Sequence, residues 1–133
     1  MNQQEMFDKV AIHLLTQNKK AIKVLKNEYT GLDDNMCVYR NDAGEKCAAG
    51  CLIPDELYDP KFEGMNTSAY DLQHVWATIG IDMIHDLALL NKLQKIHDTY
   101  TPSKWHRQLE IVAVEFKLNT NALGVNDEHT GNI

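Results

Sequence analysis

Apolar residues fall at helical spacing from Gln4 to about Lys26: Phe7, Val10, Ala11, Leu14, Leu15, then Ile22 and Leu25. Gln17-Asn18-Lys19-Lys20 interrupts the stripe, so this stretch reads as one long helix or as two helices jointed near Asn18. Gly31 stops the pattern, and Asp33, Asp34 and Asn35 favour turns. Met36 to Arg40 leans towards strand. Asn41-Asp42-Ala43-Gly44 offers turn chemistry, and Lys46 to Ala49 can return as a second strand. The expectation is a hairpin within residues 36–50. Pro54 then suits the first position of a short helix, with Asp55 and Glu56 in its first turn.

The second half is more regular. Ser68 looks like a cap for a helix carrying Leu72, Val75 and Trp76 as far as Gly80. Asp82 can cap a helix whose apolar face is Met83, Leu87, Leu90, Leu93, Ile96 and Tyr100. Thr101-Pro102 opens the last helix, which carries Trp105, Leu109, Val112 and Phe116. Short connections between these helices favour a bundle. The fold expected is mainly α: a small helical bundle with one short β-hairpin, as a single domain over residues 1–120. Residues 121–133 read as a flexible tail.

Composition refines this picture only slightly. At 133 residues the chain is one domain's worth, and no apolar run is long enough to span a membrane. With no basic-then-apolar leader at the start, a cytoplasmic location is the default expectation. The net charge of −6 is uneven: residues 1–28 carry +2 and residues 29–100 carry −7. An acidic middle repels phosphate backbones, which disfavours nucleic acid as a partner. The basic group Lys19, Lys20, Lys23 and Lys26 could meet an acidic partner, although a solvated face is the simpler reading.

Candidate chemistry centres on three cysteines. Cys37, Cys47 and Cys51 are spaced C-x9-C-x3-C, and Cys47 with Cys51 resembles a zinc knuckle. The fourth zinc ligand would need a distant histidine such as His74, His85 or His97. The alternative is that the thiols are small buried apolar groups. Cys51 could instead act as a nucleophile with His97 and Asp98. His13, His74, His85, His97, His106 and His129 form no metal-ligand pair on one helix face. Phosphate-loop and nucleophile-elbow motifs do not occur. Arg40 is one of two arginines, and its planar fork suits a carboxylate or phosphate. Its simpler role is a salt bridge to Asp42, Glu45 or Asp55. Arg40, Lys46, Asp55 and Tyr58 are therefore the candidate ligand-binding set, with no cofactor required.

Cys37-Val-Tyr-Arg40, followed by Lys46-Cys-Ala-Ala-Gly-Cys-Leu-Ile-Pro-Asp-Glu-Leu-Tyr58, resembles a signature of small uncharacterised proteins of tailed phages and prophages. Leu93-Gln-Lys-Ile-His97-Asp98, Pro102, Trp105 and the opening Phe7-Asp8-Lys9-Val10 with His13-Leu14-Leu15 fit the same resemblance. It covers most of residues 5–118, with Ala21 to Asn35 as a longer connection than the family pattern has. No catalytic residue comes with it. What it implies is a non-enzymatic accessory protein in a bacterial host's cytoplasm. Such a protein would bind a host protein or sequester a small anionic, nucleotide-like signal. A cysteine-dependent enzyme and a zinc-stapled interaction module are the alternatives, and self-association into a homo-oligomer is compatible with a small bundle.

Overall fold

The computed structural model describes residues 1–124. Helix α1, Gln3–Gln17, is set by a reciprocal cap. Asn2 Oδ1 accepts the Glu5 N–H at 2.8 Å, and Glu5 Oε1 accepts the Asn2 N–H at 2.9 Å. Its buried face is Met6, Phe7, Val10, Ala11, Leu14 and Leu15. Asn18, left-handed at φ 52°, ends it and returns its N–H to Leu14 O.

The chain does not continue as helix after that joint. Ile22–Lys26 is strand β1 and pairs antiparallel with β2, Asp33–Cys37, in the register Ile22↔Cys37 through Lys26↔Asp33. This is the molecule's β-hairpin, and it lies N-terminal to the expected one. At the expected position a single bridge, Arg40↔Lys46, joins the two segments. Residues Ala48–Leu52 form helix α2 instead of a returning strand. The physical reason lies in Cys47, whose Sγ accepts the Gly50 N–H at 3.2 Å and so caps a turn of small residues. Gly50 lets that turn lie against the preceding chain: a Cβ there would sit 2.1 Å from Tyr39 O.

Two 3-10 turns follow, Asp55–Leu57 after Pro54 and Pro60–Phe62. Helix α3 is Tyr70–Thr78, α4 is Leu87–Thr99, and α5 is Pro102–Glu115 with Pro102 in its first turn. Asp82 opens a turn leading into α4 and is not its immediate cap: Asp86 N–H donates to Asp82 O at 2.7 Å. α1 is the central element, packed on α2, α4 and α5. Trp76 and Trp105 are wholly buried, and their indole N–H groups donate to Thr67 O and Tyr100 O.

The first residues of the expected tail are folded. Asn121–Leu123 forms a 3-10 turn on α1, with Ala122 and Leu123 in the core. Gln4 exchanges two hydrogen bonds with the backbone of Asn119, at 2.9 and 3.1 Å, which fastens this end to α1. Residues 125–133 of the expected tail lie outside the described residues. No helix among the described residues is long and apolar enough to cross a membrane.

Candidate functional site

Arg40, Lys46, Asp55 and Tyr58 do come together. Arg40 Nη1 meets Asp55 Oδ1 at 2.8 Å, and Lys46 Nζ reaches the same oxygen at 3.6 Å. Arg40 Nη2 donates to Ile53 O at 2.6 Å, and the guanidinium lies 4.6 Å above the Tyr58 ring. The two cations hold the Asp55 carboxyl below the usual carboxylate range, through the hydrogen bond from Arg40 first. Glu63, which the sequence did not single out, completes the group. It accepts the backbone N–H groups of Tyr39 and Arg40 at 2.8 and 3.1 Å and the Tyr58 hydroxyl at 2.6 Å. Burial and the Glu63 bond push the Tyr58 hydroxyl up to about 12. Both cations thus already face a carboxylate. Only Arg40 Nε is a buried side-chain polar atom with no partner among the described residues.

The three cysteines are free thiols with different surroundings. Cys47 Sγ is occupied in capping α2, and the Cys51 thiol donates to Ala48 O at 3.0 Å. Burial pushes both thiols up to about 12, which suppresses the thiolate that nucleophilic catalysis would require. Cys37 stands at the base of the hairpin and is exposed.

His97 and Asp98 lie beside Cys37, not Cys51. Ligand atoms of Cys37, His97 and Asp98 fall within 4.8 Å of one another, the one such group among the described residues. The ring is wholly buried and stacks on Trp105 with centroids 5.6 Å apart. Its Nε2 accepts the Ala21 N–H at 2.9 Å, so its proton sits on Nδ1, which donates to Asp98 Oδ1 at 2.7 Å. Both nitrogens are therefore spent on fixed partners. A metal on Nδ1 would put the proton on Nε2, facing the Ala21 N–H. A general base would need the lone pair that Ala21 holds. The Cys37 thiol is itself raised, by burial and by Asp98. The trio pins the base of the hairpin to α4, and it suits neither zinc nor nucleophilic catalysis.

The hairpin is the feature that sequence reading missed. Its two strands pack chiefly on each other. From Lys23 to Met36 it leaves exposed Val24, Leu25, Tyr29, Leu32 and Met36, with Tyr29 98% exposed at its tip. The tip is well built: Asn27 Oδ1 accepts the N–H groups of Tyr29 and Thr30, Asn27 N–H donates to Leu32 O, and Gly31 turns at φ 71°. The available signal was the alternation Ile22-Lys23-Val24 ahead of the Asn27–Gly31 turn, masked by the helical stripe running into it.

No family model, curated protein or solved structure matches the chain.

Proposed function

We propose that this protein is a non-enzymatic, phage-type accessory protein that binds a host protein through the hairpin arm Ile22–Cys37. One observation carries the reading. An isolated two-stranded hairpin is marginal in water and normally buries a face. This one holds five large exposed apolar side chains on a hydrogen-bonded ribbon, and the hydrogen bonds that tie it to the body are at its base. The register puts Val24 on one face of the ribbon and Leu25 and Met36 on the other, so the arm offers apolar side chains to a partner on both faces and at its tip, and exposed apolar surface concentrated on one element is a mark of protein docking sites. The alternative of a small anionic ligand at Arg40 and Lys46 has less support, because Asp55 already faces both cations.

Photo-crosslinking tests the reading. A photoreactive residue at Tyr29 or Leu32 should give a discrete adduct with one protein of a bacterial host lysate. The same residue at Tyr70, exposed on the body, should give none. Equal labelling from Tyr70 and from the arm would sink the proposal.

A further inference from the structure

The two long edges of the arm differ in charge. The ladder bonds Val38 N–H to Ala21 O and Asn27 N–H to Leu32 O bracket the hairpin. By antiparallel alternation, the pairs Lys23–Met36 and Leu25–Asp34 are the inward-bonded ones. The backbone groups of Val24 and Lys26 therefore point away from β2, and those of Asp33, Asn35 and Cys37 point away from β1. Ile22 O, on the same outward parity as Val24, accepts Asn41 Nδ2 at 3.2 Å, which agrees with this assignment.

Strand β1 carries Lys23 and Lys26, following Lys19 and Lys20. Edge lysines are a common guard against strand pairing. Strand β2 carries Asp33 and Asp34 and no cation. Its edge leads at Cys37 into a cleft of about 740 Å³ between the Glu63–Ser68 loop and one face of α4, with Met36, Val38 and Met65 as its apolar positions. Acids outnumber cations there: Glu63 and Asp98 against Lys95. The molecule as a whole carries −6. Charge at the edge, in the cleft and over the whole chain thus favours the same kind of partner.

We infer that the outer edge of β2, at Asp33, Asn35 and Cys37, takes up an extended basic segment of a partner protein as a third strand. This rests on the arm-docking reading and names its mode. Main-chain hydrogen bonds to the outward groups supply the binding, and the basic side chains lie against Asp33 and Asp34. A second copy is disfavoured as the occupant. Antiparallel pairing of two β2 strands about Asn35 sets Asp34 diagonal to Asp34 of the other copy, between two chains of −6.

The test uses the full chain and synthetic peptides. The probes are a ten-residue peptide alternating valine and lysine, its glutamate counterpart, and a basic peptide of equal charge interrupted by proline. Amide exchange by NMR should show the first protecting Asp33, Asn35 and Cys37 at least tenfold, while the other two do not. Asn35→Pro, which removes an outward donor, should weaken binding at least tenfold. Asp33→Lys with Asp34→Lys should do the same without touching the backbone, so the test survives a disturbed ladder in the proline variant. Protection at Val24 and Lys26 instead, equal binding of the proline-interrupted peptide, or self-association abolished by Asn35→Pro would each overturn the inference. If no peptide adds to β2 while Tyr29 and Leu32 still crosslink a partner, strand addition falls and the arm reading stands. If neither occurs, both fall.

Discussion

The Ala21 N–H donates to His97 Nε2 across 2.9 Å, between two wholly buried residues. That bond joins the last residue before β1 to α4 and fixes where the arm leaves the body. It also fixes the ring's tautomer, because an acceptor Nε2 requires the proton on Nδ1. Long-range nitrogen–proton NMR should show a neutral ring protonated at Nδ1. His97→Ala removes the acceptor and opens a space beside Trp105. A buried donor left unpaired plus a cavity should cost about 3 kcal/mol by urea unfolding.

Glu63 and Asp55 should behave oppositely, although both face Arg40. Glu63 receives three donors, two of them backbone N–H groups, so Glu63→Ala should destabilise by about 2–4 kcal/mol. Asp55 has its side chain 82% exposed, and its ion pairs are screened by water. Asp55→Ala should leave the urea midpoint in place. Equal losses from the two variants would mean that the Arg40 cluster holds together through its ion pairs.

Gly50→Ala should be among the most damaging small substitutions. The added methyl would sit 2.1 Å from Tyr39 O, and the clash is with backbone on both sides. Either α2 shifts off α1 or the chain at Tyr39 moves, at a cost of about 3 kcal/mol or more. A thermal midpoint equal to that of the parent chain would show that α2 does not lie where the structure places it.

Thiol labelling should be slow and selective. In the folded protein Cys37 is exposed, Cys51 is half-buried and Cys47 is buried, and burial with the neighbouring Asp98 raises the Cys37 thiol above the ordinary value. Iodoacetamide at pH 8 should modify Cys37 more slowly than a peptide thiol, Cys51 more slowly still because its thiol is pushed up to about 12, and leave the buried Cys47 intact. All three should react in denaturant. Fast modification of Cys51 would restore the cysteine-enzyme alternative.

Mild acid should weaken the fold through His13. Burial lowers its pKa below the ordinary 6.5, so the unfolded chain binds the proton more readily. Its contribution is present above pH 6.5 and is lost as pH falls from there through the lowered folded value. The urea midpoint should therefore drop between pH 7.5 and 5.5, and His13→Gln should flatten part of that slope.

The sequence was most legible where one signal acted alone. The Thr101-Pro102 start and the apolar faces of α4 and α5 were readable because cap, period and length agreed. The joint at Asn18 was visible too, but what followed was not. Ile22 and Leu25 extend the period of α1, and nothing local says that Ala21 is held by His97, 76 residues away. The hairpin expected at residues 36–50 failed for a related reason. A strand-like sequence at Lys46–Ala49 lost to a cap formed by Cys47 and a close approach permitted by Gly50. At the candidate site, Arg40, Lys46, Asp55 and Tyr58 were found as neighbours. Glu63, which holds three of the donors there, had no distinguishing pattern among nineteen acids.

An arm that serves binding and not the stability of the body can be removed without unfolding that body. Ile22 and Cys37 lie opposite one another in the register, so residues 23–36 can be replaced by a short Gly-Ser turn. Thermal unfolding and partner capture should then be measured on the same shortened protein. The midpoint should lie within about 3 °C of the parent, as expected for an element that opens independently of the core, and the partner that Tyr29 crosslinks should be lost. A collapse of the midpoint, or capture that survives the loss of the arm, would contradict this role of the arm.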